Sequence, residues 1–105
     1  MRGQSKKLPD AGSGQLAHAS LRRLTMKHVY FIRSLSVPNQ RYIGVTSSLD
    51  DRLRAHNTGA SPHTSKYPPW ELVTFVSFRD DQRAFDIERY LKTGSGRAFA
   101  NKHLW

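Results

Sequence analysis

The pattern of apolar and polar positions divides most of the chain into short strands and helices. The run from His28 to Leu35 holds Val, Tyr, Phe and Ile in succession, which is typical of a buried strand. Residues 37–40, Val-Pro-Asn-Gln, favour a turn, and residues 41–46 form a second short apolar run. Because the intervening turn is so short, the sequence predicts an antiparallel hairpin of these two strands.

The next segment predicts a helix. Ser48 with Asp51 matches a capping box, and the acidic side chains of Asp50 and Asp51 favour the positive end of a helix. The sequence Asn57-Thr58-Gly59 favours a left-handed exit, so the helix is predicted to end near Asn57.

Strand alternation returns after a loop, residues 60–69, that contains three prolines. A third strand is predicted from Trp70 to Phe78 because apolar and polar positions alternate there. The alternation predicts one face that carries Leu72, Thr74, Val76 and Phe78 and another that carries Val73, Phe75 and Ser77.

Two further helices complete the pattern. Asp80 or Asp81 is the predicted cap of a helix that runs to about Thr93, where Gly-Ser-Gly interrupts it. Ser95 is the predicted cap of a last short helix that ends near Lys102. The predicted order is therefore ββαβαα, an α+β arrangement.

Length and composition exclude several classes of protein. The chain has 105 residues, enough for one domain, since single domains typically span about 100–200 residues. It has no cysteine, which excludes a disulfide scaffold, a cysteine zinc site and a thiol nucleophile. No apolar run approaches the about 18 residues of a membrane span, and the N-terminus lacks an apolar signal core. We therefore expect a soluble protein of the cytoplasm with no membrane partner.

The positive charge is unevenly distributed. The formal net charge is +9, and residues 1–27 hold six basic side chains against one acidic side chain. Residues 28–105 hold eleven against seven. Residues 1–26 are rich in Gly, Ser and Ala and are predicted to form a disordered basic tail; alternatively, Met26 is the true start. The folded domain is then 27–105, and the charge favours a polyanion, nucleic acid above all, as partner.

The first helix carries an arginine that packing does not explain. Leu49, Leu53 and His56 are spaced to share the inward face. Arg52 precedes His56 by four residues and so lies beside this stripe, whereas Arg54 is predicted to point into solvent.

A glutamate raises a similar question on the second helix. Ala84, Ile87 and Leu91 form the inward stripe of that helix, and Glu88 lies at its margin. A carboxylate there is costly unless it is paired or bound to a metal. From spacing alone, an ion pair with Lys92 is the favoured interpretation, and a role in chemistry is the alternative.

The hairpin contributes two tyrosines. Tyr30 lies inside the first strand, and Tyr42 opens the second, with Gly44 on the same face. A glycine in a strand lets a backbone or a ligand come close. Taken singly, each tyrosine is more typical of packing than of catalysis.

Taken together, these residues resemble the GIY-YIG nuclease superfamily, in particular its small single-domain bacterial members. The resemblance implies a three-stranded antiparallel sheet flanked by helices and metal-dependent cleavage of phosphodiester bonds, with Mg²⁺ as the usual ion and Mn²⁺ as a substitute. One departure is His28, which stands where the first family motif has Gly. The matching blocks, which occur in order between Lys27 and His103, are His28-Val29-Tyr30, Tyr42-Ile43-Gly44, Leu49-x-x-Arg52-Leu53-x-x-His56-Asn57 and Glu88.

The resemblance also implies catalytic roles. Tyr30 and Tyr42 match the tyrosines of the first two motifs, Arg52 matches the helix arginine, and His56 matches the tyrosine or histidine one turn later. An arginine there offers a fixed fork of donors to the non-bridging phosphate oxygens. Tyr42 is the preferred general base, with a relay through His56 or Tyr30, and His56 itself is the alternative base.

The remaining positions concern the metal and the substrate. Glu88 matches the metal-binding glutamate, and one carboxylate suits one Mg²⁺ completed by water and substrate oxygens. Asn101 is the candidate for an asparagine that many family nucleases carry near their end. The basic side chains expected to contact nucleic acid are Arg52, Arg54, Lys66, Lys92 and Arg97.

The resemblance therefore predicts an endonuclease that acts on DNA rather than RNA, in repair, recombination or processing. The protein is expected to associate with the nucleoid in the cytoplasm of a bacterial cell. A domain of this size has little room for sequence readout, so a protein partner or a dimer is expected to supply specificity. One alternative is a non-catalytic nucleic-acid-binding module that uses exposed aromatics such as Tyr67 and Trp70. Another is a structural protein whose charge confers solubility. A carboxylate repels phosphate, so Glu88 near Arg52 favours the nuclease.

Overall fold

The computed structural model describes residues 25–105, so the predicted tail of residues 1–26 lies almost wholly outside the described part. The elements follow the predicted ββαβαα order. No helix among residues 25–105 has both the length and the apolar character that a membrane span requires. The elements are β1 (Lys27–Ser34), β2 (Arg41–Thr46), α1 (Leu49–Asn57), β3 (Trp70–Phe78), α2 (Asp81–Tyr90) and α3 (Gly94–His103).

The sheet has the order β2-β1-β3, and β1 pairs antiparallel with both neighbours. The central strand is the most buried one, and the side chains of Val29, Phe31 and Ile32 are fully buried. In the β1–β2 hairpin, Tyr30 lies opposite Gly44 and Ile32 lies opposite Tyr42. This confirms the predicted fold class and places both hairpin tyrosines on one face of the sheet.

Alternating side chains of β1 supply two cores, one on each face of the sheet. Val29 and Phe31 pack with Ala84 of α2, with Leu91 directly after this helix, and with Ala100 of α3. On the other face, the core combines Tyr30 and Ile32 with Trp70, and partly buried side chains of α1, Leu49 and Leu53, pack against it. Helix α1 therefore covers the face that carries the two tyrosines.

The end of α1 is tied to the start of β3. The side-chain amide of Asn57 accepts a hydrogen bond from the Trp70 backbone N–H at 2.5 Å and donates one to the Trp70 carbonyl at 3.2 Å. The Trp70 indole N–H donates to the carbonyl of Thr64 at 2.9 Å. Gly59 has a φ of +80°, which matches the predicted left-handed exit. These bonds hold the loop between α1 and β3 against the helix.

Burial of Trp70 corrects one expectation from the sequence. Its side chain is only 4% exposed, and the ring of Tyr67 packs half-buried against the same core. Trp70 is therefore not a free stacking platform for bases, because its ring is part of the core with Tyr30 and Ile32.

The predicted faces of β3 are wrong over part of the strand. The register with β1 shifts between Phe31, which pairs with Thr74, and Ile32, which pairs with Leu72, so Val73 is an extra residue. A bulge of this kind reverses the alternation on one side of it. As a result Val73 packs against the same core as Phe78, although the sequence places them on opposite faces.

The helix ends differ from prediction where side chains cap them. Asp80 caps α2 as predicted, accepting from the Gln82 N–H at 2.9 Å, but α2 ends at Tyr90 rather than near Thr93. Thr93, not Ser95, caps α3 by accepting from the Gly96 N–H at 3.3 Å. Ser48 is the cap residue of α1, yet its hydroxyl makes no capping hydrogen bond, so the predicted capping box is incomplete.

Gly44 is required by the tyrosine opposite it. A β-carbon at this position would lie 2.6 Å from Cζ and 2.9 Å from Cε1 of Tyr30, which is shorter than side-chain carbons tolerate. We expect Gly44→Ala to lower the free energy of unfolding by about 1–3 kcal/mol, measured by urea denaturation.

Gly94→Ala is the matched control, because a β-carbon at Gly94 meets nothing within 4 Å. Its free energy of unfolding should stay within about 0.5 kcal/mol of the parent or rise. Equal destabilisation by the two substitutions would contradict the steric role of Gly44.

Candidate active site

A buried hydrogen bond joins the central strand to α1. The Tyr30 hydroxyl and His56 Nε2 are 2.8 Å apart, with Tyr30 3% exposed and His56 fully buried. The other ring nitrogen, Nδ1, lies 2.5 Å from Oγ1 of Thr64, which is itself buried. Helical spacing brings His56 inward with Leu49 and Leu53, as the sequence predicts. Both nitrogens of the imidazole are thereby occupied.

The surroundings of His56 favour its neutral form. Burial lowers the pKa of the imidazole from its ordinary value, and the positive charge of Arg52 lowers the pKa further. A neutral imidazole has one N–H donor and one acceptor nitrogen. His56 therefore donates to one of its two hydroxyl partners and accepts from the other, so that Thr64, His56 and Tyr30 form a continuous hydrogen-bonded chain.

Tyr30 holds its proton firmly. Burial raises the pKa of this phenol well above its usual range, and the charges of Tyr42 and Glu88 add to the rise. Arg52 acts in the opposite direction and lowers the pKa of Tyr30, but its effect is smaller than that of burial. At neutral pH Tyr30 is therefore a hydrogen-bonding group rather than a base.

Tyr42 is the accessible member of the aromatic group. Its side chain is half-buried, and its ring centroid lies 6.2 Å from that of Tyr30 and 5.2 Å from that of His56. The imidazole of His63 stacks on it at 6.1 Å, and the Lys92 ammonium lies 5.8 Å from the ring centroid. Tyr42 thus stands between the buried pair and the surface.

Arg52 is exposed near the start of α1. It lines a shallow cavity of about 450 Å³ with Thr46, Ser47 and Ala55. No carboxylate among residues 25–105 forms an ion pair with it, although Asp51 precedes it in the sequence. Asp51 instead pairs with Arg54 at 3.0 Å, and Arg54 points into solvent as predicted. Arg52 keeps its guanidinium free near Tyr30 and His56.

Glu88 forms the ion pair that its spacing predicts. Its carboxylate binds the Lys92 ammonium one helical turn later, and its side chain is 21% exposed. No cluster of three or more His, Cys, Asp or Glu side chains suited to a metal occurs in residues 25–105. A single, partly accessible carboxylate fits an ion that keeps most of its water, as Mg²⁺ does, and does not fit an all-protein cage. Glu88 is the side chain that would hold such an ion.

Asn101 lies beside Tyr42 but is engaged by another residue. Its side-chain oxygen accepts a hydrogen bond from Nη2 of Arg41 at 2.8 Å. Asn101 and Tyr42 line one cavity of about 310 Å³ together with Lys92 and Arg97. The structure thus brings two of the predicted basic residues next to Tyr42.

Lys66, in contrast, lies exposed in the loop between α1 and β3.

Two residues that hydrogen-bond to candidate site residues were not predicted from the sequence. Thr64 holds the Nδ1 side of His56, and Arg41 holds Asn101. Thr64 lies in a proline-containing loop without periodicity, so its sequence carries no signal of burial. Arg41 precedes Tyr42, and its hydrogen-bond partner Asn101 is sixty residues away in the chain, so local spacing does not predict their contact.

Comparison with known proteins identifies the domain. The family model of the GIY-YIG catalytic domain matches residues 26–102. The structure-specific endonuclease subunit SLX1 of Mycosarcoma maydis is 44% identical over 50 residues, an alignment that covers 45% of this chain and 8% of that protein. The chain therefore aligns with only a small part of this relative. The family match spans all six elements almost completely, and the chain belongs to the GIY-YIG family of nucleases.

Proposed function

We propose that this protein is a Mg²⁺-dependent endonuclease that hydrolyses phosphodiester bonds in DNA. The observation that carries the proposal is the convergence of Tyr42, Arg52 and Glu88 around the buried Tyr30–His56 pair, inside a domain that matches the GIY-YIG catalytic domain. Hydrolysis of a phosphodiester needs a base for the attacking water, positive charge at the phosphoryl oxygens and a stabilised leaving oxygen.

Accessibility supports Tyr42 as the general base. His56 is fully buried and both of its nitrogens are hydrogen-bonded, so it has no atom left to receive a proton from water directly. Tyr30 is also buried and its raised pKa keeps it protonated. Tyr42 is the member of the group that a substrate water can reach, while the Thr64–His56–Tyr30 chain fixes its surroundings.

Arg52 is proposed to bind the non-bridging oxygens of the scissile phosphate. Its guanidinium is exposed and free of any carboxylate partner within residues 25–105. A planar fork of donors matches the geometry of a phosphate and stays charged at every working pH. The same charge disfavours protonation of His56, which keeps the hydrogen-bonded chain neutral.

Glu88 is proposed to hold the metal. When bound, a divalent ion polarises the phosphoryl oxygen and stabilises the leaving oxygen. Lys92 neutralises the carboxylate in the structure, and its side chain is half exposed, so it can release Glu88 at small cost. Lys92 is then free to bind a phosphate, which accords with its predicted contact to nucleic acid.

The substrate is proposed to be DNA recognised by its structure rather than by its sequence. The relative in Mycosarcoma maydis is named as a structure-specific endonuclease subunit, and a subunit works with a partner. A domain of this size offers little surface for reading bases, so we propose that a protein partner or a second copy supplies the specificity, in repair or recombination.

Two substitutions test the proposed chemistry. Arg52→Ala is expected to slow cleavage by about 10²–10³-fold or more, because it removes charge stabilisation in the transition state. Glu88→Gln is expected to abolish Mg²⁺-dependent cleavage, since an amide binds the ion weakly. Cleavage of plasmid and of branched DNA measures both effects, with circular dichroism to show that the fold is kept.

Arg89→Ala is the matched control for Arg52→Ala, and Glu71→Gln is the matched control for Glu88→Gln. Each control makes the same substitution at an exposed position away from the site. They should cleave like the parent. Parental cleavage by Arg52→Ala or Glu88→Gln would refute the site, and DNA binding without cleavage under any divalent ion would favour a non-catalytic binding module.

The buried, neutral His56 makes stability depend on pH. The pKa of an unfolded histidine is about 6.5, and the folded pKa of His56 is lower. Between these two values the unfolded chain binds more protons than the folded protein. The contribution of His56 is therefore fully present above about pH 6.5 and is lost as the pH falls toward the folded pKa.

We expect urea denaturation of the parent to show this fall in the free energy of unfolding between about pH 7 and pH 5. His56→Gln should flatten it, whereas His63→Gln, at an exposed position, should keep it. An equal fall in the parent and in His56→Gln would show that another group causes it.

A further inference from the structure

A cavity beside β2 carries three cations, two of which have no acidic partner among residues 25–105. It has a volume of about 310 Å³, and its lining includes Arg41, Lys92 and Arg97 but no Asp or Glu side chain. Of these three, Lys92 alone has an ion pair within residues 25–105, with Glu88. Uncompensated positive charge in a concave site attracts an anion.

Arg41 is held in place for such a ligand. Its guanidinium carbon lies 4.4 Å from the ring centroid of Trp105, and Nη2 donates to Asn101 at 2.8 Å. Stacking on an indole and a hydrogen bond to an amide fix the plane of the guanidinium without neutralising it. The N–H groups not used by Asn101 remain available to an oxyanion.

A second arginine adds to the charge. Arg33 lies 5.9 Å from the centroid of the same Trp105 ring. Burial of Arg41 lowers the pKa of its guanidinium, and the positive charge of Arg33 lowers this pKa further. Arg33 also has no carboxylate partner among the described residues. Arg33 lines a neighbouring cavity with Arg41 rather than this one, so it adds positive charge near the cavity without being a ligand in it.

The floor of the cavity is apolar. It is formed by Ile43, Leu91, Ala100 and Trp105, beneath the cationic rim. Such a lining suits a phosphate that carries a sugar better than a free inorganic ion, because the sugar carbons find apolar contacts. Tyr42 lines the same cavity, so its occupant lies next to the proposed base.

We propose that this cavity binds a backbone phosphodiester of the nucleic acid next to the one that is cleaved, with Arg41 and Arg97 as its ligands and Asn101 and Trp105 as residues that position Arg41. This inference rests on the proposed function for its account of the neighbouring bond. The phosphate site itself contributes to binding of nucleic acid, and this binding requires neither the metal nor cleavage.

The test measures binding without cleavage. Affinity for a short DNA duplex is followed by fluorescence anisotropy in EDTA over a series of salt concentrations. Each phosphate contact contributes about 0.9 to the slope of log K against log salt for duplex DNA. We expect Arg41→Ala to reduce the slope by about that amount and to weaken binding about tenfold, regardless of sequence.

Three further variants make the result specific. Arg97→Ala, at an exposed position on α3, should reduce the slope in the same way, and it serves also if Arg41→Ala fails to fold. Arg41→Lys should keep most of the slope but bind more weakly, because it keeps the charge and loses the fork. Arg83→Ala, an arginine on α2 outside the cavity, should leave the slope unchanged.

The outcomes separate this site from the proposed activity. Unchanged slopes in folded Arg41→Ala and Arg97→Ala, or an equal loss in Arg83→Ala, would overturn the phosphate site even if Glu88→Gln abolishes cleavage. A slope effect confined to duplexes that carry a 5′-phosphate would assign the cavity to a terminal phosphate and overturn the backbone assignment. A slope effect in a protein that never cleaves DNA would uphold the phosphate site and refute the nuclease.

Discussion

The hydrogen bond between Tyr30 and His56 joins the central strand to α1, and the rest of the site is arranged around it. Both side chains are buried, so each polar group must find a partner inside the protein, because an unsatisfied one costs about 1–3 kcal/mol. Thr64 provides the last partner, and Gly44 provides the space for the phenol. A strand, a helix and a loop are therefore held in one arrangement by a chain of neutral hydrogen bonds.

This arrangement separates two kinds of residue. The neutral pair is buried, and the charged residues Arg52, Glu88 and Lys92 surround it at partly or fully exposed positions. A charge is expensive to bury, whereas at the surface it stays hydrated until a substrate replaces the water. Tyr42 lies on the boundary between the two zones. The buried pair thus makes the site rigid. At the boundary, the proposed phosphate would meet positive charge that is already exposed, so no charge has to be buried in the free protein.

The sequence was sufficient for features that depend on local periodicity. The hairpin, α1 with an inward His56, and the pairing of Glu88 with Lys92 all follow from spacing over a few residues. Family motifs added the fold and the candidate site, which no single residue indicates. Features that depend on distant partners could not be predicted. The bulge at Val73 arises from pairing with β1, and the burial of Trp70 and Thr64 arises from the closure of a loop over α1.

Net charge is a weak guide to where this protein meets an anion, and pairing is a stronger one. Residues 28–105 carry only a modest excess of basic side chains, spread over most elements. Arg54 and Arg89 are each paired with an aspartate one turn earlier, which reduces their pull on a distant phosphate. Arg52 lines one cavity, and Arg41 and Arg97 line another together with Tyr42; none of these three arginines has such a partner among residues 25–105. The uncompensated charge therefore lies in two cavities, one of which contains the accessible tyrosine, and this distribution accords with the two phosphate contacts proposed above.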